Sequence, residues 1–387
     1  MVSAKQTDDW DPRGPGALAD PTQAYDAMRG TCPVAHSEYL GWSVFRHSDV
    51  VAVVEDHASY SSRVSARHPA VPNGYDPPQH GRYRDLVDHY FHPDDVNTFE
   101  PLFSSIASEL AAELPGDGSE IEFIDRFALT YALQTQRAWL GWPDYFAVAL
   151  REWVTRQHSA TLSGDRQALA DVARDFDGVV SRVLAEWRAR PSPADDITSR
   201  LLREQIDGVP LSDDEIVSIL RNWTVGELAT MSASVGILVD YLARHPQLQE
   251  RLRHAPEDLP AAIDEILRIH APLSSNRRVT TRAVELGGRY IDAGERITIS
   301  WASANRDEAV FGDPDEYRPH ENAPHNLLYG RGIHDCPGAP LARLELRVAI
   351  AELLAATRQI ALSLDTPPVV AAYPASGFRT LPVHIFR

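Results

Sequence analysis

The residues best suited to chemistry lie near the C-terminus, in the run Leu328-Tyr329-Gly330-Arg331-Gly332-Ile333-His334-Asp335-Cys336-Pro337-Gly338. One cysteine sits in a glycine-rich loop that leads straight into an apolar helix. Loop N–H groups can bond the sulfur, and the positive end of the following helix favours the thiolate, so a lowered thiol pKa is expected. Gly330, Gly332 and Gly338 let the backbone turn tightly and approach something large and flat. His334 supplies a donor two residues before the sulfur. A soft anionic ligand held this way suits heme iron; the plainer alternative is a buried thiol in an ordinary loop.

Three further constellations have the right residue types. His80 and Arg84 are four apart, hence on one helical face, and could clamp a carboxylate or merely sit at the surface. Glu265 and Arg268 are three apart on a helix, an arrangement that is ordinarily a small surface ion pair. Arg277 and Arg278 follow Pro272 closely. The element that must position all of these is a long helix. Ser212 and Glu215 make a capping box, and the helix then runs to about Arg244, stopped by His245-Pro246. Apolar residues on most of its faces place it through the protein centre. Gly226 in its middle costs roughly 1 kcal/mol relative to alanine. A flat cofactor lying close, a local distortion or a helix–helix contact would each account for it.

Together these motifs resemble the cytochrome P450 superfamily. Its heme loop has the form Phe-x-x-Gly-x-His-x-Cys-x-Gly, with Tyr329 here in the place of Phe. The resemblance implies a mainly α fold with small β-sheets and a long central helix over the heme. It makes Cys336 the axial iron ligand and places Tyr329, Gly330 and Gly226 against heme b. His80, Arg84, Arg278 and His334 become donors to the heme propionates, with Arg277 an open substitute for Arg278. Glu265 and Arg268 become a buried structural pair tied to the segment from Asn305 to Pro314. Substrate contacts carried over from the family layout are Val225, Ala229, Leu273, Ser274, Ser376 and Phe378, with the 61–79 loop and the region from Trp153 to Leu162 at the entrance.

One departure stands out. Where the family's central helix carries an acid followed by an alcohol, this chain has Leu228 and Ala229, within Val225-Gly226-Glu227-Leu228-Ala229-Thr230. Three routes remain open. Glu227 and Thr230, each displaced by one residue, deliver protons through a bulged helix; the substrate contributes a hydroxyl, as in some polyketide-oxidising relatives; or peroxide replaces oxygen. The first two are preferred. The bland alternative for Glu227 is a solvent-facing or ion-paired side chain.

The stretch from Arg221 to Leu228 and the run from Ile263 to Leu346 resemble a narrower group: bacterial heme domains fused to a flavin and ferredoxin-type reductase, and stand-alone enzymes attacking aromatic ethers. Only about fifty residues follow Cys336. The expected electron donor is therefore a ferredoxin or ferredoxin-type reductase supplied in trans and fed by NAD(P)H, unless the chain is a cut heme domain. The expected activity is O2-dependent oxygen insertion into a C–H bond of a small organic molecule. Aromatic ether O-dealkylation comes first and natural-product hydroxylation second. A peroxygenase or NO reductase, and a non-catalytic heme protein, are the rivals.

Composition sets the outer bounds. The 387 residues are 43% hydrophobic, enough for one large domain, expected over 21–387 behind a loose lead-in at 1–20. A net charge of −18 disfavours nucleic acid. Two cysteines make a disulfide framework implausible, and with no leader or membrane anchor in view a bacterial cytoplasm is expected. Arg331, Arg343 and Arg347 cluster near the cysteine loop. They form either a basic face for an acidic donor or a set of solvated and propionate-paired arginines.

Overall fold

The computed structural model describes residues 9–65, 70–163, 165–190, 195–371, 373 and 375–387. The entrance segments expected at 61–79 and 153–162 therefore lie partly outside the described residues, at 66–69 and at the side chains of His158, Thr161 and Leu162.

Helices dominate, as expected. The central helix, Asp213–Arg244, is 32 residues long, about 48 Å at the standard rise. Its start is the predicted capping box. Glu215 Oε2 accepts the Ser212 N–H at 2.7 Å, and Ser212 Oγ accepts the Glu215 N–H at 3.4 Å. Among the described residues this is the one helix long and apolar enough to cross a membrane, but 67% of its apolar window is buried in the fold. That burial makes it a core helix. Helices Glu100–Glu113, Leu129–Leu140, Leu259–His270 and Ala339–Ala356 pack around it and one another, and their apolar faces form one continuous core.

A five-stranded sheet flanks the helices in the order Val34–Ser37, Gly41–Val44, Arg296–Ser300, Ser275–Thr280, Tyr60–Ser61. Only the Gly41–Val44 and Arg296–Ser300 pair is parallel. A three-stranded sheet joins Gln359–Leu362, Pro382–Phe386 and Asp117–Glu122. A hairpin pairs Val284–Leu286 with Arg289–Ile291 across Gly287-Gly288, as the sequence Val-Glu-Leu-Gly-Gly-Arg-Tyr-Ile reads.

Three local expectations are corrected. Ser48-Asp49 reads in the sequence as the cap of a following helix, but that helix begins at His47 and its N-cap, Arg46, makes no side-chain cap. Asp307 Oδ2 accepts the His47 N–H at 2.8 Å instead, so the cap comes from 260 residues away. The lead-in is not loose over its described part. Asp9 holds Arg289 at 2.8 Å, Trp10 packs edge-on against Phe45, and Pro15–Ala19 is helical. The central helix carries no bulge at Gly226; it is regular throughout, and the π-helical turn in this fold lies elsewhere, at Ile124–Ala128.

Candidate active site

The cysteine loop is built around its glycines. Gly330 and Gly332 have φ of 74° and 78°. A Cβ at Gly332 would lie 2.5 Å from the Val54 carbonyl oxygen, so a side chain there is excluded twice over. The Cys336 N–H donates to the Tyr329 carbonyl at 2.7 Å, closing the loop. Arg343 stacks 4.3 Å over the Tyr329 ring and bonds Asp264 at 2.9 Å, bracing the loop from the next helix. Cys336 presents accessible surface while protein surrounds most of it. That crowding pushes the thiol up to about 11, against the lowering expected from the loop, although the Gly338 N–H and then the Arg84 charge pull it down. Burial outweighs the loop dipoles here.

Above the loop stands a cluster of basic side chains. His80, on the helix Gln79–Asp88, and His334 meet with ring centroids 4.3 Å apart. His80 Nε2 and both His334 ring nitrogens are buried with no hydrogen-bond partner. Arg278 is 8% exposed, whereas Arg277 on the opposite strand face is exposed; strand alternation thus selects Arg278. Burial first, then the Arg278 charge, lowers His334 to about 3, and burial followed by Arg84 lowers His80. Two imidazoles, each with one N–H to give, beside a buried guanidinium form a donor set that fits the carboxylates of a dianionic cofactor. Arg84 lies at the same loop, donating to the Ile333 and Asp335 carbonyls at 3.2 and 2.7 Å and pairing with Asp335 at 2.9 Å.

Glu265 and Arg268 form a buried fork–fork pair at 2.8 and 2.9 Å. Arg268 also reaches the Asn305 and Pro314 carbonyls, and Glu265 accepts from the Arg318 N–H and Asn322. The pair thus ties the helix Leu259–His270 to the segment that precedes the cysteine loop.

On the central helix, Gly226 and Ala229 share one face and expose surface in mid-helix; a Cβ on Gly226 would meet nothing within 4 Å. Val225 lies beside them, partly buried against the core. Thr230 turns its hydroxyl back to the Gly226 carbonyl at 2.6 Å, which occupies its proton. Gly377, between Ser376 and Phe378, comes so near that a Cβ would sit 3.2 Å from Ala233, one turn beyond Ala229. The C-terminal loop therefore does close on this helix face. Leu273 is 41% exposed, and Ser274 is buried with its carbonyl accepting the Ala302 N–H at 3.3 Å. Val71 of the 61–79 loop is latched to the same helix. Its N–H donates to Ser218 Oγ at 3.0 Å and its carbonyl accepts from Asn222 at 2.8 Å.

Glu227 is neither solvent-facing nor ion-paired. Its carboxyl is buried against that of Glu345, nine residues beyond the cysteine on helix Ala339–Ala356. The two lie near enough to couple their protonation, yet Glu227 Oε1 and both Glu345 oxygens lack a well-formed hydrogen bond. Desolvation raises both carboxyl pKa values, and for Glu345 the Glu227 charge adds to it. Sequence reasoning missed Glu345. Its signal was an acid between Leu344 and Leu346 on a buried helix face.

Comparison with known proteins agrees with this geometry. Residues 139–370 match the Cytochrome P450 family. Cyclomarin C epoxidase CymV of Salinispora arenicola is 33% identical over 84% of this chain and 85% of its own. Erythromycin C-12 hydroxylase of Saccharopolyspora erythraea is 31% identical over 90% of each chain. The structure of a mutant of P450 EryK in complex with erythromycin B superposes with a TM-score of 0.87 at 29% identity, covering 95% of this chain and 97% of that one. The cysteine loop, the buried imidazole–guanidinium cluster and the long central helix together fit a heme-thiolate oxygenase. The chain belongs to the cytochrome P450 family and is a P450 monooxygenase.

Proposed function

We propose that this P450 hydroxylates a natural product of medium size. Cys336 would hold the heme iron, and His80, His334 and Arg278 its propionates. The heme supplies reductive activation of O2, with electrons from NAD(P)H through a separate ferredoxin-type donor in the bacterial cytoplasm. The chain's own residues orient the substrate and manage protons. Val225, Ala229, Leu273 and Ser376–Phe378 shape the pocket over Gly226. The observation that carries the substrate class is the open Gly226–Ala229 face, with no alcohol at either position, in a chain similar to an erythromycin hydroxylase. A hydroxylated substrate fills the missing alcohol's place there. Aromatic ether O-dealkylation is the second reading; it rests only on the sequence resemblance of the stretch from Arg221 to Leu228 and the run from Ile263 to Leu346.

Proton supply falls to the Glu227–Glu345 pair. Burial favours the protonated form of both carboxyls, which lets the pair hold a proton one residue along the helix from Gly226. Residues 21–387 act as one domain in this reading. The test is the reduced protein's absorption with carbon monoxide, followed by substrate-induced spin-state shifts across macrolides, cyclic peptides and methoxyarenes. A red-shifted Soret band with shifts confined to hydroxylated natural products supports the reading. Shifts with methoxyarenes alone overturn it in favour of O-dealkylation.

A further inference from the structure

A cluster of four aromatic side chains starts at the cysteine loop and ends at the surface. Phe91 touches the loop: its ring and the Cys336 sulfur both lie within 4 Å of the point where a Gly338 Cβ would stand. Phe91 meets Trp139 at 5.2 Å between centroids and Trp223 edge-on at 5.4 Å. Trp139 and Trp223 are 5.2 Å apart, and Trp223 is 5.2 Å from Tyr90. All four are buried. Tyr90 and Trp139 form part of the floor of a cleft of about 360 Å³ that also includes Arg200.

Packing alone would explain four rings in a core, but not their polar atoms. Trp142, Trp153 and Trp187 each bond their Nε1–H, to Thr198, Val172 and Asp196. Trp139 Nε1 is buried and bare. An indole with no acceptor can give up an electron but not its proton, which makes it a passing station rather than a sink. Tyr90 is the opposite case. Its hydroxyl donates to Glu204 Oε1 at 2.8 Å, so a base stands ready for the phenolic proton when the ring is oxidised. The gradient of proton acceptors therefore points outward, from the thiolate to the cleft.

We propose that Trp139, Trp223 and Tyr90, bridged by Phe91, form a one-electron relay that drains oxidising equivalents from the thiolate side of the cofactor site to the surface, with Glu204 as proton acceptor. The inference rests on Cys336 holding a heme. Its function is protective: it acts when peroxide or unproductive oxygen activation leaves the site oxidised with no substrate to attack. In balance, peroxide takes two electrons and two protons and becomes two waters. Tyr90 supplies one electron per cycle, its proton passing to Glu204. A hydrogen-atom donor of the ascorbate or thiol class at the cleft restores the phenol. Its electron refills the ring, Glu204 returns the phenolic proton, and the donor's own proton enters solvent, the pool from which water formation draws. Two cycles consume one peroxide and two donor hydrogens.

The experiment uses ferric holoenzyme whose carbon monoxide spectrum shows the thiolate band. It is mixed with hydrogen peroxide without substrate, freeze-quenched and read by electron paramagnetic resonance, with heme bleaching followed in parallel. Wild type is expected to give a tyrosyl radical, and ascorbate to quench it and slow bleaching. Tyr90→Phe should remove the tyrosyl signal, leave a tryptophanyl one and bleach several-fold faster. Glu204→Gln, which keeps every ring in place, should weaken the tyrosyl signal; Trp223→Phe should lower its yield. A radical and a bleaching rate indifferent to Tyr90→Phe and Glu204→Gln would overturn the relay alone. A protein without the thiolate band would overturn the heme reading as well.

Discussion

Replacing Arg268 by alanine should nearly unfold this protein. The side chain is fully buried and makes four hydrogen bonds: two to Glu265, one each to the Asn305 and Pro314 carbonyls. Its loss leaves the Glu265 carboxylate buried with only the Arg318 N–H and Asn322 as donors. Removing one partner of such a pair costs about 3–5 kcal/mol, because the remaining charge is uncompensated. Against a total stability of about 5–15 kcal/mol, that is a large fraction. The measurement is the urea midpoint by far-UV circular dichroism, read with the slope unchanged. The double substitution Glu265→Gln with Arg268→Met supplies the control. It strands the same carbonyls but leaves no bare charge, so it should be less destabilised than Arg268→Ala. A loss under about 1 kcal/mol for Arg268→Ala, or a double variant worse than the single one, would refute the reasoning.

Gly332→Ala should fail to incorporate heme, because a methyl at φ 78° would strike the Val54 carbonyl; retained Soret absorbance at wild-type yield would count against the loop geometry. Arg278→Ala should weaken heme retention in apomyoglobin transfer, whereas Arg277→Ala, on the exposed strand face, should not. Glu345→Gln should lower coupled product formation on the order of 10²-fold, the usual scale for a lost proton donor, with oxygen consumption diverted to peroxide. The same variant should change the pH profile of stability. The folded carboxyl pKa is raised, so the fold binds a proton the unfolded chain releases above about 4.3. Stability then declines as pH rises from there through the folded value, and Glu345→Gln should flatten that decline in chemical unfolding across pH.

What was legible in the sequence were features written in consecutive residues. The cysteine loop, the Ser212–Glu215 box and the Glu265–Arg268 spacing each lie within a dozen positions, and each appears in the fold where it was placed. What was not legible depends on partners far apart in the chain. The His47 cap comes from Asp307, Arg84 is taken up by loop carbonyls that only the fold brings near, and Glu227 finds Glu345 118 positions away. The thiol shift was misjudged for the same reason. Loop dipoles can be read from glycines and a helix start, but the burial that outweighs them belongs to the whole molecule.

The arginines around the cysteine loop carry a consequence for electron delivery. Arg331 pairs with Glu55, Arg343 with Asp264 and Arg347 with Glu100, at 2.5, 2.9 and 2.7 Å, each at least a third exposed or close to it. Each of these three arginines has a carboxylate at arm's length, so the cluster projects little field beyond a Debye length of about 8 Å at physiological salt. Long-range attraction of an acidic donor by this cluster is therefore weak beside the chain's net charge of −18, so added salt should not slow association. Selectivity instead arises at contact, where a donor's carboxylates must trade places with Glu55, Asp264 and Glu100. Such an exchange conserves the number of ion pairs; it rewards the right spacing of charges over their number, and so sets the orientation in which an electron can arrive.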